Sequence, residues 1–305
     1  MERGTGTAGR EEILKLTNEF TYRKYLMNKE QVKDFFKKIT VPEYIALHHI
    51  ASGSEISDIY SGRTYLKELS EMSPNSLRLF LTGANPFVLS TDKLKNIARL
   101  SKQYLQKLDS IGCFARITDI TPKSITELKE LRTIGYNRIT IGVETGDDIA
   151  LEFMNKGYTS KDILLQCKKL EEANIDYNVF YLTGIYGKNK SIQGVKNTAN
   201  IFNQLHPKII GASMLTVFNT SKLYSEIQHG NWQEESEIEK LNELKLLIEN
   251  LNINTHFAAL GSSNAFNFQG KIPNEKQKLI EYIDSILSNY TENQLKSYRT
   301  NLKHL

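Results

Sequence analysis

Leu77-Arg78-Leu79-Phe80-Leu81-Thr82-Gly83-Ala84-Asn85-Pro86 is an apolar run of strand length that empties into a turn-rich exit. From about Asp92 to Leu108 it is followed by a segment that sets Leu94, Ile97, Ala98 and Leu105 on one helical face. The unit is strand, loop, helix, and it repeats. Downstream come the strand Ser110 to Ala115 and a helix opened by the capping box Ser124-x-x-Glu127 and closed at Gly135. Next are the strand Arg138 to Val143 with helix Ser160 to Ala173, the strand Tyr177 to Leu182 with helix Gln193 to Leu205, and the strand Lys208 to Val217. Upstream, Tyr44-Ile45-Ala46-Leu47-His48 is a short apolar strand followed by the irregular polar stretch Ala51 to Arg63. Six strands alternating with helices require a parallel sheet, whose right-handed crossovers gather the helices on one side. The economical architecture is an α/β fold with a partial (β/α)6 barrel of TIM type; a doubly wound sheet shares the alternation, and periodicity alone leaves it open.

The flanks differ from this core. Residues 1–40 hold a helical segment with Ile13, Leu14, Leu16, Phe20, Tyr25, Leu26, Val32, Phe35 and Phe36, ending before Pro42. The barrel is expected over 41–220. Residues 221–305 read as a helical extension, with helices near Ser221 to Gln228, Glu235 to Leu251 and Asn274 to Asn289. A chain of 305 residues is long enough for one such core. No apolar run approaches the roughly 18 residues of a membrane span. A formal net charge of +4, with Lys and Arg interleaved among Asp and Glu, gives no basic block for nucleic acid. Met1 to Arg10 has no apolar centre of a secretory signal, so a cytoplasmic protein is expected. The two cysteines, Cys113 and Cys167, have neither disulfide nor metal-knuckle spacing.

In such a barrel the ligand site forms where strands give way to loops at their C-terminal ends. Those positions hold His48 and His49, then Gly83-Ala84-Asn85, Arg116, Glu144-Thr145, Tyr181 and Thr183, and Thr216 and Asn219. Arg116 suits a carboxylate, and Glu144 with Asn85 suits an ammonium, which is the chemistry of an amino-acid moiety. Spacing alone leaves open the alternative that Arg116 and Glu144 pair with each other across adjacent strands. His48 and His49 point to opposite faces of their strand, so no bidentate pair forms and no metal site is assigned.

Three segments then carry a resemblance: Leu79 to Phe87, Ser110 to Arg116, and Ile139-Thr140-Ile141-Gly142-Val143-Glu144-Thr145-Gly146-Asp147. In order and spacing they resemble consecutive strand ends of the radical S-adenosylmethionine (SAM) fold, over about Tyr44 to Tyr290. The resemblance implies that the second strand ends in a Gly-Gly-Glu-like element for the methionine amino group of SAM; here that place is Gly83-Ala84-Asn85, its acid replaced. It also implies that Glu144 and Thr145 lie near the ribose and amino acid, with Arg116 as a carboxylate partner.

The departure is in the loop after the first strand. Set against Tyr60-Ser61-Gly62, the three cysteine positions of the family's cluster loop fall on His49, Ser54 and Ser57, and none is a thiol. A neutral hydroxyl does not replace a thiolate, so a [4Fe-4S] cluster is not expected, and with it goes the reductant for radical initiation. The expected activity is a non-radical reaction of SAM or a related nucleoside with a small-molecule substrate, with His49 as a general base and Glu144 beside it. The rival expectation is a non-catalytic partner of a true radical SAM enzyme, using the C-terminal helices as its interface.

Overall fold

The structure, a computed structural model, describes residues 44–46, 77–81, 85–105, 108–261 and 263–300. The repeating unit runs β1 (Tyr44–Ala46), β2 (Leu77–Leu81), α1 (Thr91–Tyr104), β3 (Leu108–Arg116), α2 (Ile117–Ile120), α3 (Ile125–Thr133), β4 (Tyr136–Glu144), α4 (Asp148–Phe153), α5 (Ser160–Glu172), β5 (Asp176–Thr183), α6 (Ser191–Phe202) and β6 (Ile209–Met214). Each strand lies parallel beside its sequence neighbour. A doubly wound sheet reverses its strand order part-way; this one does not, which decides for the barrel-type winding. Local chemistry sets the ends: Ser124 and Thr159 open α3 and α5 with reciprocal capping boxes, and Gly135 ends α3 at a φ of 115° that its missing Cβ permits.

The C-terminal part departs from the sequence expectation. Beyond α7 (Lys222–Gln228) and α8 (Glu237–Asn250), the chain adds β7 (Thr255–Ala259), parallel to β6, and β8 (Phe268–Ile272), antiparallel to β7. The helices α9 (Lys276–Asn289) and α10 (Glu292–Thr300) follow. The stretch read as purely helical thus extends the sheet, because α8 serves as one more crossover helix. The eight-stranded sheet stays open, with β1 and β8 at its edges. The expected N-terminal helix, His48 and His49, and Gly83-Ala84 lie outside the described residues.

The sheet has two unlike faces. Leu79, Ile111, Cys113, Ile139, Ile141, Val179, Ile210 and Ala212 are buried against Leu94, Leu128, Ile163, Val195, Phe202 and Leu244 of the helices. Each such aliphatic side chain removed from water contributes about 1.5–3 kcal/mol, so this face anchors the fold. The alternate residues point to the opposite, inner face, and many remain partly exposed: Phe80, Phe114, Arg116, Arg138, Asn178 and Phe180.

Candidate functional site

The C-terminal ends of β2, β3 and β4 carry the charged groups. Asp119, buried on the short α2, accepts from Asn85 Nδ2 at 2.7 Å and from the Arg116 backbone N–H at 2.7 Å. One carboxylate therefore ties the exit of β2 to the end of β3. Next to it Lys123 is buried, with Nζ donating to the carbonyls of Phe87 (2.7 Å) and Asp119 (3.1 Å) and lying 4.7 Å from the Phe87 ring centroid. Burial pulls its pKa below the ordinary lysine value, partly offset by Asp119.

At the end of β4 the backbone is forced. Glu144 has φ of 66°, in the left-handed region that a residue with a Cβ adopts at a cost of about 1 kcal/mol or more. The register slips between Gly142 and Glu144, and the Glu144 carboxylate folds back so that Oε1 lies 3.1 Å from where a Gly142 Cβ would stand. Glycine at 142 leaves that space. The Tyr158 hydroxyl, buried beneath, donates to the carbonyls of Val143 (2.9 Å) and Gly142 (3.2 Å). Desolvation raises its pKa, Glu144 adds to the rise and Arg116 opposes it.

Arg116 and Glu144 meet through a third residue. Lys156 Nζ is 3.3 Å from Glu144 Oε1, while the Lys156 backbone carbonyl accepts from an Arg116 terminal nitrogen at 3.1 Å. The ion-pair partner of Glu144 is thus Lys156, and the direct Arg116–Glu144 pair left open by the spacing is not what the chain builds. Arg116 stays exposed and Glu144 partly so. Thr145 turns the other way. It is fully buried, with its hydroxyl 2.8 Å from both Tyr186 Oη and Thr198 Oγ1 and accepting the Asp147 N–H at 3.1 Å. That hydroxyl is committed to holding the turn against α6, whereas the resemblance had placed it beside the ligand. Gly146 lets the turn sit there, since a Cβ would meet the Thr198 Cα at 2.9 Å.

The ends of β5 and β6 are closed instead. Glu243 accepts from Tyr181 Oη at 2.6 Å and from the Gly184 N–H at 3.0 Å, and the buried Glu235 carboxyl is a close electrostatic neighbour. Burial raises both acids, and the Glu235 carboxyl helps to push Glu243 well above the usual carboxylate range. Beside them the fully buried Lys240 meets Glu234 (2.7 Å) and Glu237 (3.1 Å), and Arg299 reaches the same two acids and the Leu215 carbonyl. The strand-end residues Tyr181 and Thr183 are both sealed in this half.

Asp119, Lys156 and Tyr158 were not among the residues reached from the sequence. Asp119 carried a signal, an acid at the third position of a helix directly after a strand. Lys156 and Tyr158 lie a dozen or more residues from Glu144 and carried none. Among the described residues no three His, Cys, Asp or Glu side chains come together to hold a metal ion. Both cysteines are fully buried, Cys113 inside β3 and Cys167 on α5, and burial raises both thiols. Neither fits a thiolate ligand. His49, Ser54 and Ser57 lie outside the described residues.

The family model of the radical SAM superfamily matches residues 57–196. The matched span is shorter than the stretch over which the strand-end segments resemble the fold. The heme chaperone HemW of Bacillus subtilis is 26% identical over 161 residues, covering 52% of this chain and 41% of that protein. HemW of Buchnera aphidicola is 22% identical over 193 residues, covering 62% and 47%. The chain thus spans less than half the length of these curated relatives. Archaeal Elp3 from Methanocaldococcus infernus superposes with a TM-score of 0.54 at 12% identity, covering 79% of this chain and 62% of that one, which bears on the fold alone. No described helix is long and apolar enough to cross a membrane.

Proposed function

We propose that this radical SAM domain binds S-adenosylmethionine or a related adenosyl nucleoside at the ends of β2–β4 and, in the cytoplasm, catalyses a non-radical reaction of it with a small-molecule substrate. The observation that carries the reading is Glu144, a carboxylate held in a strained backbone over the inner face beside the exposed guanidinium of Arg116, in a chain whose two thiols are sealed in the core. Strain at a charged strand end is a mark of function, because stability alone would select glycine there. Arg116 takes the ligand carboxylate, and Glu144 takes the ammonium in exchange for Lys156, with Asn85 beside them. A bound sulfonium supplies an electrophile for alkyl transfer, cyclisation or elimination. His49 accepts the proton from the substrate. Calorimetric titration with SAM and S-adenosylhomocysteine, alongside iron analysis after anaerobic purification, tests this. Micromolar binding, weakened about tenfold or more by Glu144→Gln, with iron far below stoichiometric, is expected. No heat with either ligand sinks the binding reading, and a full complement of cluster iron sinks the non-radical one.

A second reading, a non-catalytic partner of an intact radical SAM enzyme, is favoured by the exposed Tyr282, Tyr290 and Tyr298 along α9 and α10. It predicts activity only when a second protein is added.

A further inference from the structure

The inner face of the sheet, below the charged strand ends, carries a second group of polar atoms that the adenosyl reading does not use. On β4, Arg138 and Thr140 project to this face, and Asn178 of β5 stands beside Thr140 in register. The Asn178 amide donates weakly to Thr140 Oγ1 at 3.4 Å, while its carbonyl oxygen is buried without a hydrogen-bond partner among the described residues. Arg138 is half-buried, and among the described residues no hydrogen bond or ion pair engages its guanidinium. The acid next to it in register, Asp176, is turned to Lys208 at 3.3 Å. A half-buried cation and a buried acceptor without partners are costly, and each asks for a complementary group from outside.

The walls around them are aromatic. Phe80 and Phe114 meet edge to face at 4.9 Å, and Phe114 is in register with Thr140. The rings of Phe80 and Phe180 lie against the backbone of Gly112 and Gly211, each 2.9 Å from where a Cβ would be, so these glycines make room for them. Phe180 remains exposed enough to meet a ligand. Cation, acceptor and rings share one face of adjacent strands, and together they describe the complement of a small planar molecule.

We infer that the inner face is the second-ligand site, built for a flat, apolar or aromatic carboxylic acid that also carries an N–H or O–H donor. Arg138 takes the carboxylate, Asn178 Oδ1 takes the donor, and Phe80, Phe114 and Phe180 cover the ring. The inference rests on the adenosyl reading only in calling this ligand the substrate; the site itself stands on its own residues.

Anthranilate is a suitable probe, because its carboxylate and amine share one edge of a fluorescent ring. Titrated into the full chain, it is expected to give a saturable change in fluorescence. Arg138→Gln is expected to weaken it about tenfold or more, and Asn178→Leu several-fold. Aniline, without the carboxylate, and inorganic phosphate, without the ring, are expected to bind far more weakly. Neither substitution removes a strong bond within the protein, and thermal melts that match the parent chain separate lost binding from lost folding. Arg138→Lys, which keeps the charge but not the fork, is expected to bind between the two. The inference is overturned by absence of saturation into the millimolar range, by anthranilate binding that Arg138→Gln leaves unchanged, or by aniline binding equally well. SAM titrated separately reports on the adenosyl site, so either reading can fail while the other holds.

Discussion

The two halves of the strand-end rim are built on opposite principles. At β2–β4 the charges are partly exposed, Glu144 is strained, and Lys156 bridges two residues that have no direct pairing with each other. At β5–β6 more charges are gathered, yet they face one another: Lys240 is sealed between Glu234 and Glu237, Arg299 closes over both, and burial raises Glu235 and Glu243. Charge density by itself does not mark a site. A buried network whose cations are held between its own acids serves to hold α8 to the sheet, even with Glu237 Oε2 and both Glu235 oxygens left without a hydrogen-bond partner among the described residues, while a partly exposed one is free to exchange a protein partner for a ligand.

The strongest test of this contrast is removal of a cation from the closed half. Lys240→Met leaves buried Glu237 and its neighbour with Arg299 alone, and about 3 kcal/mol of stability should be lost in urea unfolding. An unchanged midpoint would mean that the network is ornamental. The acid pair gives the next largest effect. The folded state of Glu235 and Glu243 holds a proton that the unfolded chain gives up near the ordinary carboxylate value. Its stabilisation is therefore complete in acid and is lost as pH rises toward the raised folded value. Melting followed from roughly pH 5 to pH 9 should show that decline, on the order of 1–3 kcal/mol, and Glu243→Gln should flatten it. The smallest effect has the opposite sign. Glu144→Gly relieves the left-handed backbone and loses only a partly exposed ion pair, so stability should rise by about 1 kcal/mol or less while SAM binding falls. A loss of stability there would place Glu144 with the structural half.

The sequence allowed the parallel core to be read because its strands are apolar runs separated by capped helices. Its ends were within a few residues, as with the helix expected to reach Leu108, which stops at Tyr104 so that Leu108 can start β3. Missing were β7 and β8, although Phe268-Gln269-Gly270-Lys271-Ile272 alternates cleanly in burial; five residues are a faint signal beside three long helices. For the site, counting strand ends reached Arg116 and Glu144. It did not use the alternation that turns Thr145, the very next residue, to the helix side opposite Glu144. Nor could it reach Lys156, whose closeness to Glu144 exists only once α4 has folded back across the strand ends.

Lys156 also governs how binding at this rim would feel salt. On the proposed reading an arriving ammonium would not fill an empty anionic hole at Glu144; it would take over from a tethered ammonium already 3.3 Å away. Swapping one cation for another leaves the local charge nearly constant, so affinity should depend only shallowly on ionic strength. On the proposed reading a displaced lysine would pull on the backbone carbonyl that Arg116 grips, coupling the amine end of the ligand to its carboxylate end through one residue.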